Sequence, residues 1–188
     1  MPHVERATKQ WPEPAARRLV RMSESNSHVR LRAMESVDVP AVLDVQQPGA
    51  VVGLAEVFPQ DEYPFPRDLI AKRWLEELVS TDIDCFVVLD SARTVGFAAV
   101  RDDELLHFGI ALELWGKGTA QAAHAAVVDL LAERGIRRAW LWVFTKNRRG
   151  RRFYERLGWR QTGERSHSTF PPHAQLLRYE RDLTDPPT

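Results

Sequence analysis

Gly116 and Gly118 frame a six-residue stretch, Trp115-Gly116-Lys117-Gly118-Thr119-Ala120, whose residue types suit one kind of chemistry. It follows an apolar run at residues 105–112 and opens an alanine-rich stretch at residues 121–134. A buried strand that stops at a Gly-x-Gly turn and feeds straight into a helix leaves several backbone N–H groups unpaired at the positive end of the helix dipole. Such a cluster of donors is a site for phosphate. Spacing excludes two common phosphate loops. A Walker loop needs glycine five residues before Gly-Lys and Ser or Thr after it, and Ala111 and Gly118 stand there. A dinucleotide fingerprint needs glycine three residues after Gly118, where Gln121 sits.

A second stretch follows the apolar run Ala139-Trp140-Leu141-Trp142-Val143-Phe144. It reads Asn147-Arg148-Arg149-Gly150-Arg151-Arg152-Phe153-Tyr154-Glu155-Arg156-Leu157-Gly158-Trp159, with a good helix N-cap in Asn147 and a good stop in Gly158. Within it Tyr154 is either a working phenol or a core aromatic beside Phe153 and Leu157.

The first stretch resembles the pyrophosphate loop of the GNAT superfamily of acyl-CoA-dependent N-acyltransferases, (Gln or Arg)-x-x-Gly-x-(Gly or Ala), with Trp115 where the family usually carries Gln or Arg. The second resembles the family's other signature, an Asn after the fifth strand and a helix ending Phe-Tyr-Glu-(Lys or Arg)-Leu-Gly-(Phe or Trp). The resemblance spans about residues 29–182. It implies acetyl-CoA as co-substrate, no metal, and direct transfer of the acetyl group to a primary amine in a ternary complex. The amides of Gly116 to Ala120, with Lys117 nearby, would hold the diphosphate. Pantetheine would run beside Ile110, Ala111 and Leu112 and reach Asn147 where the fourth and fifth strands splay apart. A backbone N–H of the fourth strand would meet the oxyanion. Tyr154 would return a proton to the departing thiolate, at the family's acid position.

An alkyl ammonium of pKa about 10 is neutral in only about one molecule per thousand at pH 7, so something should accept its proton. Glu104 sits where many relatives carry a carboxylate that works through water, and His107 titrates in a more convenient range. Strand alternation predicts that the two lie on opposite faces. Each also has a structural reading, Glu104 as a turn charge and His107 as a satisfied sheet histidine. Glu113 reads as a surface residue beside the turn. Lys146, Arg148, Arg149, Arg151 and Arg152 form either a solvated helix face, or a set from which one or two, Arg152 included, reach the adenosine 3′-phosphate, or a patch for RNA or the ribosome. The lack of interleaved aromatics argues against the last. His167 and His173 lie in the loop between the last strands, where they border the acceptor mouth or are simply loop histidines. Asp61 and Glu62 read as a solvated loop or as an acidic lip for a cationic amine.

The elements that must position these groups can be read from the rest of the chain. At 188 residues it is long enough for one well-buried domain. Lys plus Arg and Asp plus Glu both total 26, so there is no global basic footprint for nucleic acid. No apolar run approaches the roughly 20 residues of a membrane span, and a soluble, cytoplasmic protein is expected. Cys85, the one cysteine, sits in an apolar strand and reads as a buried thiol. Residues 1–28 read as a flexible extension, with Met22 as a plausible native start; residues 29–182 are the transferase domain, and 183–188 a loose tail. The predicted order is β-α-α-β-β-β-α-β-α-β-β, an α/β (α+β) mixed, mainly antiparallel sheet with helices on both faces. The first helix is expected to break near Pro48 and resume toward Val57. The acceptor is expected to be a small-molecule amine. Its rivals are a protein N-terminus or lysine, for instance on a ribosomal protein, and a non-catalytic acyl-CoA-binding regulatory module. A homodimer is left open.

Overall fold

Strand β5 (Arg138–Phe144) shows how the sheet comes to have two covered faces. Ala139, Leu141 and Val143 are buried, while Trp140, Trp142 and Phe144 between them are half-buried on the other side, the period of two that a strand imposes. In this computed structural model, which describes residues 29–184, β5 is one of seven strands forming one sheet among the described residues. The others are β1 (Val29–Ala33), β2 (Ile83–Asp90), β3 (Arg93–Arg101), β4 (Glu104–Ile110), β6 (Arg160–His167) and β7 (Gln175–Asp182). Their spatial order is β1-β2-β3-β4-β5-β7-β6, antiparallel throughout except where β4 meets β5. Helices α1 (Val39–Gly53) and α2 (Arg67–Leu78) lie between β1 and β2, α3 (Thr119–Glu133) between β4 and β5, and α4 (Arg148–Arg156) between β5 and β6. That is the order the sequence predicts, with helices on both faces.

Each face has its own core. Ala123, Ala126, Val127 and Leu131 of α3, spaced for one helical stripe, pack with Leu105, Ile110, Leu141 and Val143. On the opposite face Val39, Val42, Leu43 and Val45 of α1 and Trp74 of α2 cover Cys85, Val87, Phe97 and Ala99. Each valine, leucine, isoleucine or phenylalanine among them contributes about 1.5–3 kcal/mol on withdrawal from water. Cys85 is a buried core thiol as expected, and burial, the largest cause, pushes its pKa up to about 12.

Three expectations are corrected. Helix α1 runs through Pro48 rather than breaking there, and ends at Gly53; the ring removes a single hydrogen-bond donor, which the apolar stripe of α1 outweighs. Leu183, expected in the loose tail, donates its N–H to the Arg137 carbonyl at 2.8 Å and packs on the core. The third correction bears on the site. The β3–β4 register shifts so that Ala99 faces His107 while the next residue, Val100, faces Leu105, with Leu106 as the extra residue. Alternation restarts at this bulge. Arg101 faces Glu104 and Ala99 faces His107, and Arg101 and Ala99 share a face of β3, so Glu104 and His107 share a face too. Residues 1–28, and with them the proposed start at Met22, lie outside the described residues.

Candidate active site

β4 and β5 pair at one position only, Glu104 with Trp140, and separate beyond it. A gap therefore opens in the middle of the sheet, flanked by the C-terminal half of β4 and by the segment leading from β5 into α4. On the β3 side the Ala111 N–H donates to the Val95 carbonyl at 2.8 Å. Alternation accordingly turns the backbone groups of Phe108 and Ile110 toward the gap. The Ile110 carbonyl accepts a hydrogen bond from the Trp115 indole at 2.9 Å. Of the three residues expected beside pantetheine, Ala111 thus has its N–H engaged by β3, and Leu112 has entered a short 3-10 turn, Leu112–Leu114.

That turn delivers the chain to the Gly-x-Gly stretch. Gly116 and Gly118 have φ of 78° and 86°, in the left-handed region where a side chain is disfavoured. Gly118 is the N-cap of α3, and no side chain caps the helix start. The N–H groups of Gly118, Thr119 and Ala120 are left to an external acceptor, at exposed or half-buried positions. The Lys117 N–H is not free, because it donates to the Leu114 carbonyl at 3.2 Å. Trp115 packs against α1, where a Cβ added to Gly53 would meet its ring at 3.1 Å. On its other side the Arg149 guanidinium lies 4.1 Å from the ring centre. Glu113 is exposed and paired with Arg93, as the sequence suggests.

Helix α4 is pinned at both ends. Asn147 Oδ1 accepts the Gly150 N–H at 2.8 Å, the expected N-cap. At the other end Gly158 (φ 84°) donates to Glu155 and Trp159 donates to Tyr154, the paired bonds of a Schellman stop. Arg151 reaches the Tyr179 hydroxyl at 3.0 Å and so serves the fold, while Lys146, Arg148 and Arg152 are exposed. Tyr154 packs edge-on against His124, Phe153 and Trp159, and burial raises its pKa. Its hydroxyl bonds to no described residue and is not one of the buried unpartnered polar atoms, which are Glu77 Oε2 and Arg178 Nε among those described. The ring is held in the core, with its hydroxyl left without a protein partner among the described residues.

The two base candidates differ in what holds them. Glu104 is buried and takes two hydrogen bonds from Arg101, at 3.1 and 2.6 Å, at the closed end of the gap. His107 stands past the bulge where the gap has opened, packed edge-on against Trp74. Its Nε2 lies 2.9 Å from Oε1 of Glu77 on α2, which Arg73 also contacts at 2.7 Å. Burial pushes the Glu77 carboxyl pKa up, but the His107 hydrogen bond and the charges of His107 and Arg73 outweigh it and leave the group below the usual carboxylate range. Glu77 was not singled out from the sequence. Its signal was a charge on the inward stripe of α2, seven residues after Ile70 and three after Trp74. Among the described residues no three His, Cys, Asp or Glu side chains are grouped to hold a metal ion, and no helix is long and apolar enough to cross a membrane.

Comparison with known proteins agrees with this architecture. The model of the acetyltransferase (GNAT) family matches residues 6–159. No curated protein sequence gives a match. Among solved structures, the spermidine N-acetyltransferase of Vibrio cholerae, in complex with CoA and spermine, is 19% identical with a TM-score of 0.64, over 85% of this chain and 98% of that one. The ribosomal-protein-S18-alanine N-acetyltransferase of Escherichia coli is 18% identical with a TM-score of 0.60, over 84% and 96%. The PaiA N-acetyltransferase of Thermoplasma acidophilum, in complex with coenzyme A, is 14% identical with a TM-score of 0.60, over 82% and 98%. At these identities the likeness is one of fold.

Proposed function

The chain belongs to the acetyltransferase (GNAT) family, and from that premise we propose that it transfers an acetyl group from acetyl-CoA to a primary amine of a small molecule, by direct attack in the gap between β4 and β5. The observation that carries this reading is the uncapped, glycine-framed start of α3 at the mouth of that gap. Its exposed amides and Lys117 fit a diphosphate, and the opening beside Ile110 and Asn147 fits a pantetheine arm. Acetyl-CoA, when bound, supplies an activated thioester. This chain's residues do the rest. Gly118, Thr119 and Ala120 donate to the diphosphate, with Gly116 and Trp115 shaping the turn, and Arg152 stands exposed for the 3′-phosphate. A β4 N–H facing the gap is available to developing negative charge. Tyr154, whose hydroxyl has no protein partner among the described residues, gives a proton to the leaving thiolate, and His107 takes one from the amine.

His107 is preferred to Glu104 because the Glu104 carboxylate is buried at the closed end of the gap and already engaged twice by Arg101. Tyr154 packs with the α3 face of the sheet and His107 with the α1–α2 face. The acid and the base thus flank the gap from opposite sides, as an amine and a thiol meeting there require. A small amine is favoured over a protein segment because both loops beside the gap are tied down. Phe58 of the α1–α2 loop meets Phe144 edge-on at 5.2 Å, and Arg73 lies 5.9 Å from the ring of Phe170 in the β6–β7 loop. The unit we assign to this activity is residues 29–182 together with the two residues, Leu183 and Thr184, that the sheet still holds. We place the protein in the cytoplasm, where a lone buried thiol is at home. The test is thiol release from acetyl-CoA with polyamines, aminoglycosides, amino acids and peptides as acceptors. Amine-dependent release is expected, fastest with a small amine; release with peptides alone would move the acceptor to proteins.

A further inference from the structure

We propose that Glu77 is a positioning residue for the acetyl transfer, acting through His107 to fix its tautomer and to balance the charge it gains on taking the amine's proton. This rests on the reading of the gap as the site of transfer. Glu77 of α2 is buried, at 7% exposure, in contact with the imidazole of His107 and, one turn back on its own helix, the guanidinium of Arg73. An ionised carboxylate only accepts hydrogen bonds, so His107 Nε2 must carry the hydrogen between them. In the neutral ring the lone pair is then on Nδ1. That atom bonds to no described residue, and the His107 side chain keeps 18% of its surface exposed. Glu77 Oε2, by contrast, is buried with no partner among the described residues. Its negative charge is therefore spent mostly toward His107 and Arg73.

The proton inventory closes. The acceptor's ammonium gives one proton to His107 Nδ1 and attacks as the free amine; the C–S bond breaks, the C–N bond forms, and the thiolate takes a proton from Tyr154. The imidazolium, stabilised by Glu77, later releases its proton to water, and Tyr154 recovers its own from the acylated nitrogen through solvent. The net products are the amide, the thiol and one proton. The titratable and charged groups on the same face as His107 are Glu77 and Arg73 from α2, Cys85 from β2, Arg101 from β3 and Glu104 from β4. Cys85 and His107 stand in one row, each facing Ala99, and the thiol stays neutral. Arg101 and Glu104 pair with each other.

The two partners of His107 make opposite demands, which separates positioning from mere support. Measure the His107 titration by NMR in the full chain, and the pH profile of kcat/KM with acetyl-CoA and the fastest of spermidine, 2-phenylethylamine, lysine and an alanyl peptide. In Glu77→Gln the His107 pKa and the rising limb of the profile should both fall, by about one unit, as loss of a paired charge does, and kcat/KM for the amine should drop about tenfold with the acetyl-CoA KM unchanged. In Arg73→Gln, which removes the competing cation from a half-exposed position, both should move up. Glu76→Gln, one residue away and exposed, should move neither. A rising limb that stays fixed while the NMR titration shifts would overturn the proposal, as would unchanged kinetics in Glu77→Gln. Absence of amine-dependent thiol release by the unaltered protein overturns the transfer reading itself, and is told apart because it shows before any substitution is made.

Discussion

The Arg149 guanidinium lies 4.1 Å from the centre of the Trp115 ring, so the two walls of the gap touch above the start of α3. Trp115 belongs to the wall formed by β4 and Arg149 to the wall formed by α4, and the indole N–H also holds the Ile110 carbonyl. The tryptophan ring fixes the turn against α1, beside Gly49 and Gly53. Trp115→Ala removes the ring from between Gly53 and Arg149 and leaves the Ile110 carbonyl without its donor. The KM for acetyl-CoA should rise about tenfold with kcat little changed, the size of one lost anchor of about 1.4 kcal/mol. Steady-state kinetics checks this.

Gly118 has room for a side chain but not the backbone for one. A Cβ there meets nothing within 4 Å, yet φ is 86°. Gly118→Val, β-branched in a left-handed conformation, costs about 1–3 kcal/mol locally and will be relieved by turning the N–H groups of the helix start away. Affinity for coenzyme A should fall at least tenfold while circular dichroism remains that of the folded chain.

In the proposed mechanism Tyr154 carries the proton for the leaving group. Tyr154→Phe keeps the ring against His124 and Trp159 and removes only the hydroxyl. Acetyl-CoA affinity should hold within about twofold, and kcat should fall by roughly 10²-fold, the range for a positioned acid. Equal turnover in the two proteins would remove Tyr154 from the mechanism.

His124 makes the fold acid-sensitive. It is buried between Phe108, Phe153, Tyr154 and Trp159 and accepts the Trp159 indole N–H at 2.9 Å, which requires the neutral ring. Burial, then the charge of Arg181, lower its pKa from 6.5 to about 3. The unfolded chain therefore takes up a proton first as the pH falls. Stability from this residue is intact above pH 6.5 and is lost progressively down to about pH 3, up to about 5 kcal/mol in all. Denaturant unfolding across that range should show the slope, and His124→Gln, which can still accept from Trp159, should flatten it.

What could be read in the sequence, and what could not, divides along one physical line. The strands and helices were legible because their periods are local: Ala139, Leu141 and Val143 alternate, and Asn147 and Gly158 mark their helix by cap chemistry alone. The Gly-x-Gly turn was legible for the same reason. The face of His107 was not, because it depends on one extra residue at Leu106 that only pairing with β3 reveals. Glu77 was missed because its partner lies 30 positions away, and a lone glutamate on a helix is ordinarily a solvated charge. Trp115 departs from the motif, and what its ring packs against is visible only in the fold, where α1 brings Gly49 and Gly53 beside it.

The central claim is that the start of α3 grips a diphosphate, and calorimetry tests it most directly. Titrate the full chain with coenzyme A and, separately, with pantetheine, which lacks the diphosphate. The charge-assisted hydrogen bonds from the Gly118, Thr119 and Ala120 amides should contribute at least about 3 kcal/mol together, so coenzyme A should bind at least about 100-fold more tightly than pantetheine, and Gly118→Val should erase most of that difference. Equal affinities for the two ligands, or no binding of coenzyme A at all, would contradict the account.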